Sequence, residues 1–198
     1  MARYIGPKMK ISRRFGVKLG LRTNEEVVTK RPFRPGQHGP NGRRGRLSEY
    51  GTQLHEKQKA KAIYGILERQ FRRYYDQASK SNNVGVVLLQ LLETRLDSVV
   101  YKGGFTLTQQ QARQYVGHGH VTVDGKKVTI PSFQVLPGMV IDVDQKLKQI
   151  TEDQRGFAAD LPGWLGREKN GVSMLAQPTR EEIPSLVNEK LIVEFYSR

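Results

Sequence analysis

The sequence contains no cysteine in its 198 residues. That absence excludes disulfide bonds, thiol catalysis and cysteine-ligated metals, and it is compatible with a reducing compartment. Long apolar stretches are also lacking, since the longest run, VVLL at 86–89, is far too short to span a bilayer. Neither a secretory signal nor a serine-rich organellar transit peptide is recognisable after Met1. These absences predict a mature soluble protein without membrane contact.

Acidic residues are nearly absent from the first 46 positions. This stretch carries 13 Lys and Arg against only Glu25 and Glu26, whereas residues 47–198 carry 20 basic and 17 acidic residues. The whole chain has a formal net charge of +14 and a pI near 10.1, which indicates an anionic partner. The excess charge therefore belongs to an N-terminal arm, with nearly neutral material behind it.

The stretch from Lys30 to Arg46, KRPFRPGQHGPNGRRGR, is the most unusual part of this arm. It combines six Lys and Arg with four Gly and three Pro, and it has no acidic residue. Proline opposes helix and glycine permits sharp bends, so we expect an extended, mobile and self-repelling segment. A nucleic acid would order it, because basic side chains neutralise phosphates and release counterions. The alternative is a solvated tail that serves only solubility.

Helical periodicity begins at Ser48. Apolar residues at steps of three and four predict an amphipathic helical region from Ser48 to Ala78, with Ser48 as N-cap and a break near Gly65. A second helix is predicted over 88–100. Thr108 and Gln111 form a capping-box pattern that opens a third helix, which ends at Gly117 or Gly119.

Strand signals follow. Val121-Thr122-Val123, the turn Asp124-Gly125 and residues 126–130 predict a β-hairpin, and short strands are predicted over 133–135 and 139–143. The fold class is therefore α+β. The predicted domains are a basic arm (1–46), a helical domain (47–87, completed by 183–198), a small α+β module (88–148) and an irregular connection (149–182). The closing KLIVEFYSR is apolar and fits either a strand or a helix.

Several motifs together resemble one family. They are MARYIGPKMKISRR at the start, RPFRPGQHG at 31–39, RLSEYGTQLHEKQKAKAIYGILERQF at 46–71, and RLDSVVYKGGF with ARQYVGHGHVTVDGKKV within 95–128. The closing NEKLIVEFYSR fits as well. The chain is identified as a member of the family of the fourth small-subunit ribosomal protein, in its bacterial and organellar form.

The resemblance implies a structural protein that binds a helix junction in the 5′ domain of small-subunit rRNA, nucleates assembly of the subunit body and contributes to translational accuracy. It implies contacts with the fifth small-subunit protein and, as a further candidate, the twelfth, with no cofactor and no DNA. The bacterial cytoplasm is the expected location, with a plastid or mitochondrial interior as the alternative. Some relatives hold a metal with four cysteines in the arm, and this chain lacks those ligands.

Candidate RNA contacts are mainly basic side chains of the arm, of the helical domain and of the small module, which the family's fold places against RNA. Gln37 and His38 are expected to add hydrogen bonds, and Tyr4 or Phe33 to stack on bases. The predicted contacts are Arg3, Lys8, Lys10, Arg13, Arg14, Arg31, Arg34, Gln37, His38, Arg43, Arg44, Arg46, Tyr50, Lys57, Lys61, Arg69, Arg72, Arg95, Lys102, Arg113, His118, His120 and Lys126.

Within the small module these predictions compete with ordinary structural roles. Arg95 and Asp97 could form a surface ion pair, which contributes little free energy. Arg113 favours RNA because no acid lies four residues before or after it. His118 and His120 lie in a Gly-rich turn, where histidines commonly form plain hydrogen bonds, and no further metal ligands cluster with them.

An enzyme is the competing class. Thr94–Asp97 resembles the Arg-Leu-Asp core around the catalytic aspartate of pseudouridine synthases, some of which carry the same RNA-binding module. The fifty or so residues after Val143 are too few and too irregular for their separate catalytic domain. An RNA chaperone would need neither the PGQHG arm nor the LIVEFY terminus. The sequence therefore predicts a structural RNA-binding protein without catalytic residues.

Overall fold

The computed structural model describes residues 4–21, 26–41, 47–147, 161–169, 171–183 and 186–198. The chain divides into two compact units. The first unit is Met1–Gly85 with Ser185–Arg198, and the second unit is Val86–Pro184. Among the described helices, none combines the length and the apolar character needed to cross a membrane.

The first unit begins with α1 (Lys8–Phe15) and α2 (Glu26–Lys30). The basic arm predicted for residues 1–46 therefore contains two short helices that the sequence analysis did not predict. α1 ends at Gly16, whose φ of 72° lies in the left-handed region that glycine adopts without strain. Helices this short display hardly two turns of periodicity, and the buried apolar residues Leu19, Leu21 and Val28 stand in a stretch of the sequence dominated by charge.

Two longer helices follow, α3 (Glu49–Ile63) and α4 (Glu68–Ala78). Ser48 caps α3 as predicted, because its hydroxyl accepts a hydrogen bond from the amide of Gly51 (3.1 Å). The predicted break is present as well, with Gly65 at φ 62° between the two helices. The buried face of α4 consists of Phe71, Tyr74 and Ala78.

The C-terminal segment, for which strand and helix were both open, is a helix. α8 (Glu189–Tyr196) is capped by the side chain of Asn188, which accepts from the amide of Lys190 (3.1 Å). It packs on α3, and the Tyr196 ring also stacks on Tyr75 of α4 with centroids 4.4 Å apart. The strand alternative is therefore wrong, and Ile192 is the completely buried residue of this helix.

The second unit packs helices against a sheet. α5 (Val84–Glu93) begins at the unit boundary, and α6 (Leu96–Lys102) and α7 (Gln109–His118) follow. The strands are β1 (Val121–Val123), β2 (Lys126–Lys127), β3 (Val140–Val143), β4 (Leu165–Arg167) and β5 (Gly171–Met174). They form one antiparallel sheet in the order β2-β1-β3-β5-β4. Side chains of α6, α7 and the sheet share one core.

The local signals of this unit are confirmed in part. Thr108 accepts from the amide of Gln111, and Asp124 and Gly125 both have positive φ, as a two-residue hairpin turn requires. The hairpin is shorter than predicted because β2 ends at Lys127, and β3 starts at Val140.

The single helix predicted over 88–100 is wrong. The chain leaves the helix at Thr94-Arg95, where Arg95 has φ −65° and ψ 141° and forms an isolated bridge with Gln134. The amide of Leu96 bonds to the carbonyl of Phe133 (2.8 Å), so this bridge replaces the strand predicted over 133–135. A tertiary contact thus interrupts a periodicity that continues through the break.

The irregular connection predicted over 149–182 is wrong for 165–174. β4 and β5 pair Leu165 with Met174 and Arg167 with Val172, and β5 joins β3. Strands of three and four residues leave almost no pattern in the sequence. Their burial with Trp164 in the core explains why they form.

Candidate nucleic-acid interface

Arg13 of α1 joins this helix to residues 31–33 of the same N-terminal region. Its Nε and Nη2 donate to the carbonyl oxygens of Arg31 (3.3 Å) and Phe33 (3.1 Å), and its guanidinium carbon lies 4.9 Å from the centre of the Phe33 ring. Such cation–π contacts are worth about 0.5–1 kcal/mol at exposed sites. Arg13 therefore links α1 to the segment 31–33, and the arm is partly ordered by packing.

α1 also contacts α3. The rings of Phe15 and His55 meet edge to face, with centroids 4.6 Å apart. Burial lowers the pKa of His55, Glu56 opposes this effect, and Lys59 and Arg34 lower the pKa further. The neutral ring is thereby favoured in its contact with Phe15.

A tight turn follows the segment that Arg13 contacts. The amide of Gly39 bonds to the carbonyl of Gly36 (3.2 Å), and a side chain at Gly39 would overlap the carbonyl of Arg34. This turn leaves Gln37 and His38 exposed. The PGQHG motif is therefore a defined turn that presents two hydrogen-bonding side chains.

Most described basic residues of the arm are accessible. Lys10, Arg14, Arg31 and Arg34 are exposed, and Lys8 is half-buried. Among the described residues, none of the four exposed ones takes part in an ion pair. The predicted contacts Arg3, Arg43, Arg44 and Arg46 lie outside the residues that the structure describes.

Lys57 and Lys61 occupy a structural cluster. Both ammonium groups contact Glu68, at 2.8 and 2.7 Å, and the Tyr196 hydroxyl donates to the same carboxylate at 2.7 Å. Lys57 is buried and lies 4.2 Å from the centre of the Phe195 ring. The prediction that Lys57 contacts RNA is therefore wrong. The ammonium group of Lys61 is paired with Glu68.

This cluster fixes its protonation states. Burial alone would raise the pKa of Glu68, but hydrogen bonds from Lys57, Lys61 and Tyr196 outweigh burial and lower it to about 2. Burial, followed by the hydrogen bond to Glu68, raises the pKa of Tyr196. Glu68 therefore stays an acceptor and Tyr196 a donor at neutral pH.

The outward face of α4 carries the accessible charge of the helical region. Arg69 and Arg72 are exposed, as predicted for RNA contacts, and so is Arg73, which extends the same surface. Their one-turn spacing was visible in the sequence. Tyr50 is 51% exposed, and its ring lies 5.6 Å from that of Phe195.

Arg95 is fully buried, so the prediction that it contacts RNA is wrong. Its Nε and Nη2 donate to the two carboxylate oxygens of Asp97 at 2.9 and 2.6 Å. Arg113 donates to the same carboxylate at 3.0 Å, and its side chain is 13% exposed. The search for acids four residues away missed Asp97, because Asp97 reaches Arg113 from the neighbouring helix.

The remaining predicted residues of the second unit are at least partly exposed to solvent. The Nζ of Lys102 lies 3.7 Å from Oε1 of Glu93. The Nδ1 of His120 contacts a carboxylate oxygen of Asp144 at 2.8 Å. His118 and Lys126 are exposed. The described residues contain no group of His, Asp and Glu arranged to hold a metal ion.

Family models cover most of the chain. The model of the Ribosomal protein S4/S9 N-terminal domain matches residues 3–93, and that of the S4 domain matches residues 94–141. The small ribosomal subunit protein uS4 of Roseiflexus castenholzii is 48% identical over 100% of both chains. The chain belongs to the uS4 family. The uS4 proteins of Dictyoglomus thermophilum and Akkermansia muciniphila are 50% and 49% identical, also over 100% of both chains.

Membership of the uS4 family confirms the resemblance that the motifs carried. The α+β fold class is confirmed, with its S4 domain as an RNA-binding module. The chain is a structural, rRNA-binding member of the small ribosomal subunit, and its relatives are ribosomal proteins rather than enzymes. The Arg-Leu-Asp motif is here a buried ion pair.

Proposed function

We propose that the protein binds a helix junction in the 5′ domain of small-subunit rRNA, nucleates assembly of the subunit body and contributes to translational accuracy. The observation that carries the proposal is the exposure of Lys10, Arg14, Arg31 and Arg34 on a segment that Arg13 already holds in place. RNA helices are recognised mostly through phosphates, 2′-hydroxyls and shape, which suits such a basic surface.

Both units offer accessible basic side chains for this contact. In the first unit they are Arg69 and Arg72 of α4 with the arm, and in the second unit they are Lys102, His118 and Lys126. Arg43, Arg44 and Arg46 remain proposed contacts on their charge alone. Arg95 and Lys57 are left out because they are buried.

The proposed location is the ribosome of the bacterial cytoplasm, because the relatives named above are bacterial. Contacts with the fifth and twelfth small-subunit proteins are proposed from the family. Exposed apolar side chains in the second unit, Leu136, Val140 and Leu175, offer a surface for such a contact.

The deciding experiment is equilibrium binding to a 5′-domain rRNA fragment, with tRNA as competitor, across a salt series. We expect tight, tRNA-resistant binding that weakens steeply with salt, because each phosphate contact adds about 0.7–0.9 to the slope of log K against log salt. Weak binding that tRNA removes would leave only general polycation behaviour and would overturn the proposal.

Arg13 and Arg14 form a matched pair for testing whether the contacts of Arg13 with Arg31 and Phe33 support RNA binding. Arg13→Ala should weaken RNA binding roughly tenfold without lowering the salt slope, because the loss of a cation–π contact and two hydrogen bonds loosens the segment 31–39. Arg14→Ala removes the same charge from an exposed position and should lower the slope by about 0.7–0.9. Equal slope changes in the two variants would contradict a structural role for Arg13.

A further inference from the structure

His55 lies where α1 packs on α3, inside the first unit. Phe15 is the last residue of α1, and its ring meets the His55 ring edge to face with centroids 4.6 Å apart. Both side chains are half-buried. The contact between these two helices therefore includes a side chain that can take up a proton near neutral pH.

The charges around His55 come from α3 and from the arm. Glu56 of α3 favours a charged ring, and so does the backbone of Arg14, to which the ring is hydrogen-bonded. Lys59 of α3 and Arg34 of the arm oppose a charged ring. The Glu56 carboxylate is already paired with the Lys59 ammonium at 2.7 Å, so its attraction for a second cation is reduced. Burial acts in the same direction as the two cations, because an imidazolium loses hydration in this contact.

We infer that His55 forms an acid-sensitive contact, and that its protonation releases α1 from α3. This inference concerns the protein without RNA and goes beyond the proposed function. Arg14 and Arg34 lie on the two segments that meet at His55, so the arrangement of their exposed side chains depends on the charge of this ring. The competing interpretation is that apolar packing holds α1 in place whatever the charge of His55.

The direction of the effect follows from proton binding. An exposed histidine has a pKa of about 6.5, and the pKa of His55 is lowered while α1 lies on α3, which is the docked state. The docked state therefore binds fewer protons than the released state, so acid favours release. The stabilisation by the neutral ring is complete above about pH 6.5 and is lost as the pH falls from there to the pKa of docked His55. Within this window the docking constant falls by at most about tenfold for each pH unit.

The first test is an NMR titration of the His55 ring in the full chain. We expect the pKa to lie below the ordinary value of about 6.5 in the wild type and to return toward that value in Phe15→Ala, because linkage ties the lowered pKa to the docked state. Tyr4→Ala removes an exposed ring from the same N-terminal region and should leave the His55 titration unchanged. A wild-type pKa above about 6.5 would overturn the inference, since it would show that the Phe15 ring attracts a charged His55 and that acid strengthens the docking.

The second test is hydrogen exchange of the α1 amides, expressed as protection factors so that the intrinsic effect of pH on exchange is removed. Protection should fall several-fold between about pH 7.5 and pH 5 in the wild type. It should not change with pH in His55→Phe, which keeps an aromatic ring and cannot become charged. His55→Gln serves the same purpose if His55→Phe does not fold.

His38→Gln is the matched control for the exchange experiment. It removes the other histidine of the first unit, which is exposed, and it should retain the pH dependence of the wild type. An equal loss of α1 protection in the wild type and in the uncharged His55 variants would assign the acid effect to another group. Protection that does not change with pH in the wild type would favour apolar packing. Either result would overturn the role of His55.

Discussion

Asp97→Ala is expected to lower the free energy of unfolding of the second unit by about 3–5 kcal/mol, because it leaves the buried guanidinium of Arg95 without its carboxylate. Trp164 is the only tryptophan in the sequence and lies 2% exposed in the core of this unit. Its fluorescence therefore reports the unfolding of the second unit specifically. The expected result is that the Tm of the second unit, followed by Trp164 fluorescence, falls by more than about 10 °C.

Two further variants make the Asp97 prediction specific. Asp144→Ala removes an acid whose side chain is 58% exposed, and it should change stability by less than about 0.5 kcal/mol. The double change Arg95→Met with Asp97→Leu replaces the pair by apolar groups and should recover most of the loss. An Asp97→Ala protein with wild-type Tm would contradict this prediction, because it would show that the buried charge of Arg95 does not depend on the Asp97 carboxylate.

Deleting residues 189–198 is expected to open the first unit and leave the second unit folded. α8 contributes fully buried Ile192 and the half-buried Tyr196 ring, together worth roughly 3–4 kcal/mol on a scale of 1.5–3 kcal/mol for each fully buried side chain. Gln53 of α3 also loses its hydrogen bond to Glu194. Far-UV circular dichroism should show a loss of helix beyond α8 itself.

The Trp164 fluorescence transition should be unchanged in this deletion, because Trp164 belongs to the second unit. Tyr196→Phe is the mild counterpart, since it keeps the ring and removes only the hydroxyl bond to Glu68. It should cost about 1 kcal/mol and retain the helices. A shortened chain that loses only the eight residues of α8 in helix content would contradict this account.

Features set by neighbours in the sequence were predictable. The Ser48 cap, the break near Gly65, the Thr108 cap and the Asp124-Gly125 turn each depend on a few adjacent residues, and all are present. The family resemblance added the ribosomal role, which no local pattern contains.

Features set by distant partners were not predictable. The burial of Arg95 could not be read from the sequence, because the backbone at Arg95 bridges to Gln134, 39 residues further along the chain. Arg13 resembles every other cation of the arm, and its role depends on Phe33, twenty residues away.

The place of α8 at the end of the chain also governs the order of events during synthesis. The second unit is contiguous and is complete once residue 184 has emerged, whereas the first unit needs the last residues of the chain. Domains fold as units while translation proceeds, so a prematurely terminated product would carry a folded S4 domain beside an unclosed helical unit. Synthesis through α8 is thereby a precondition for a closed first unit.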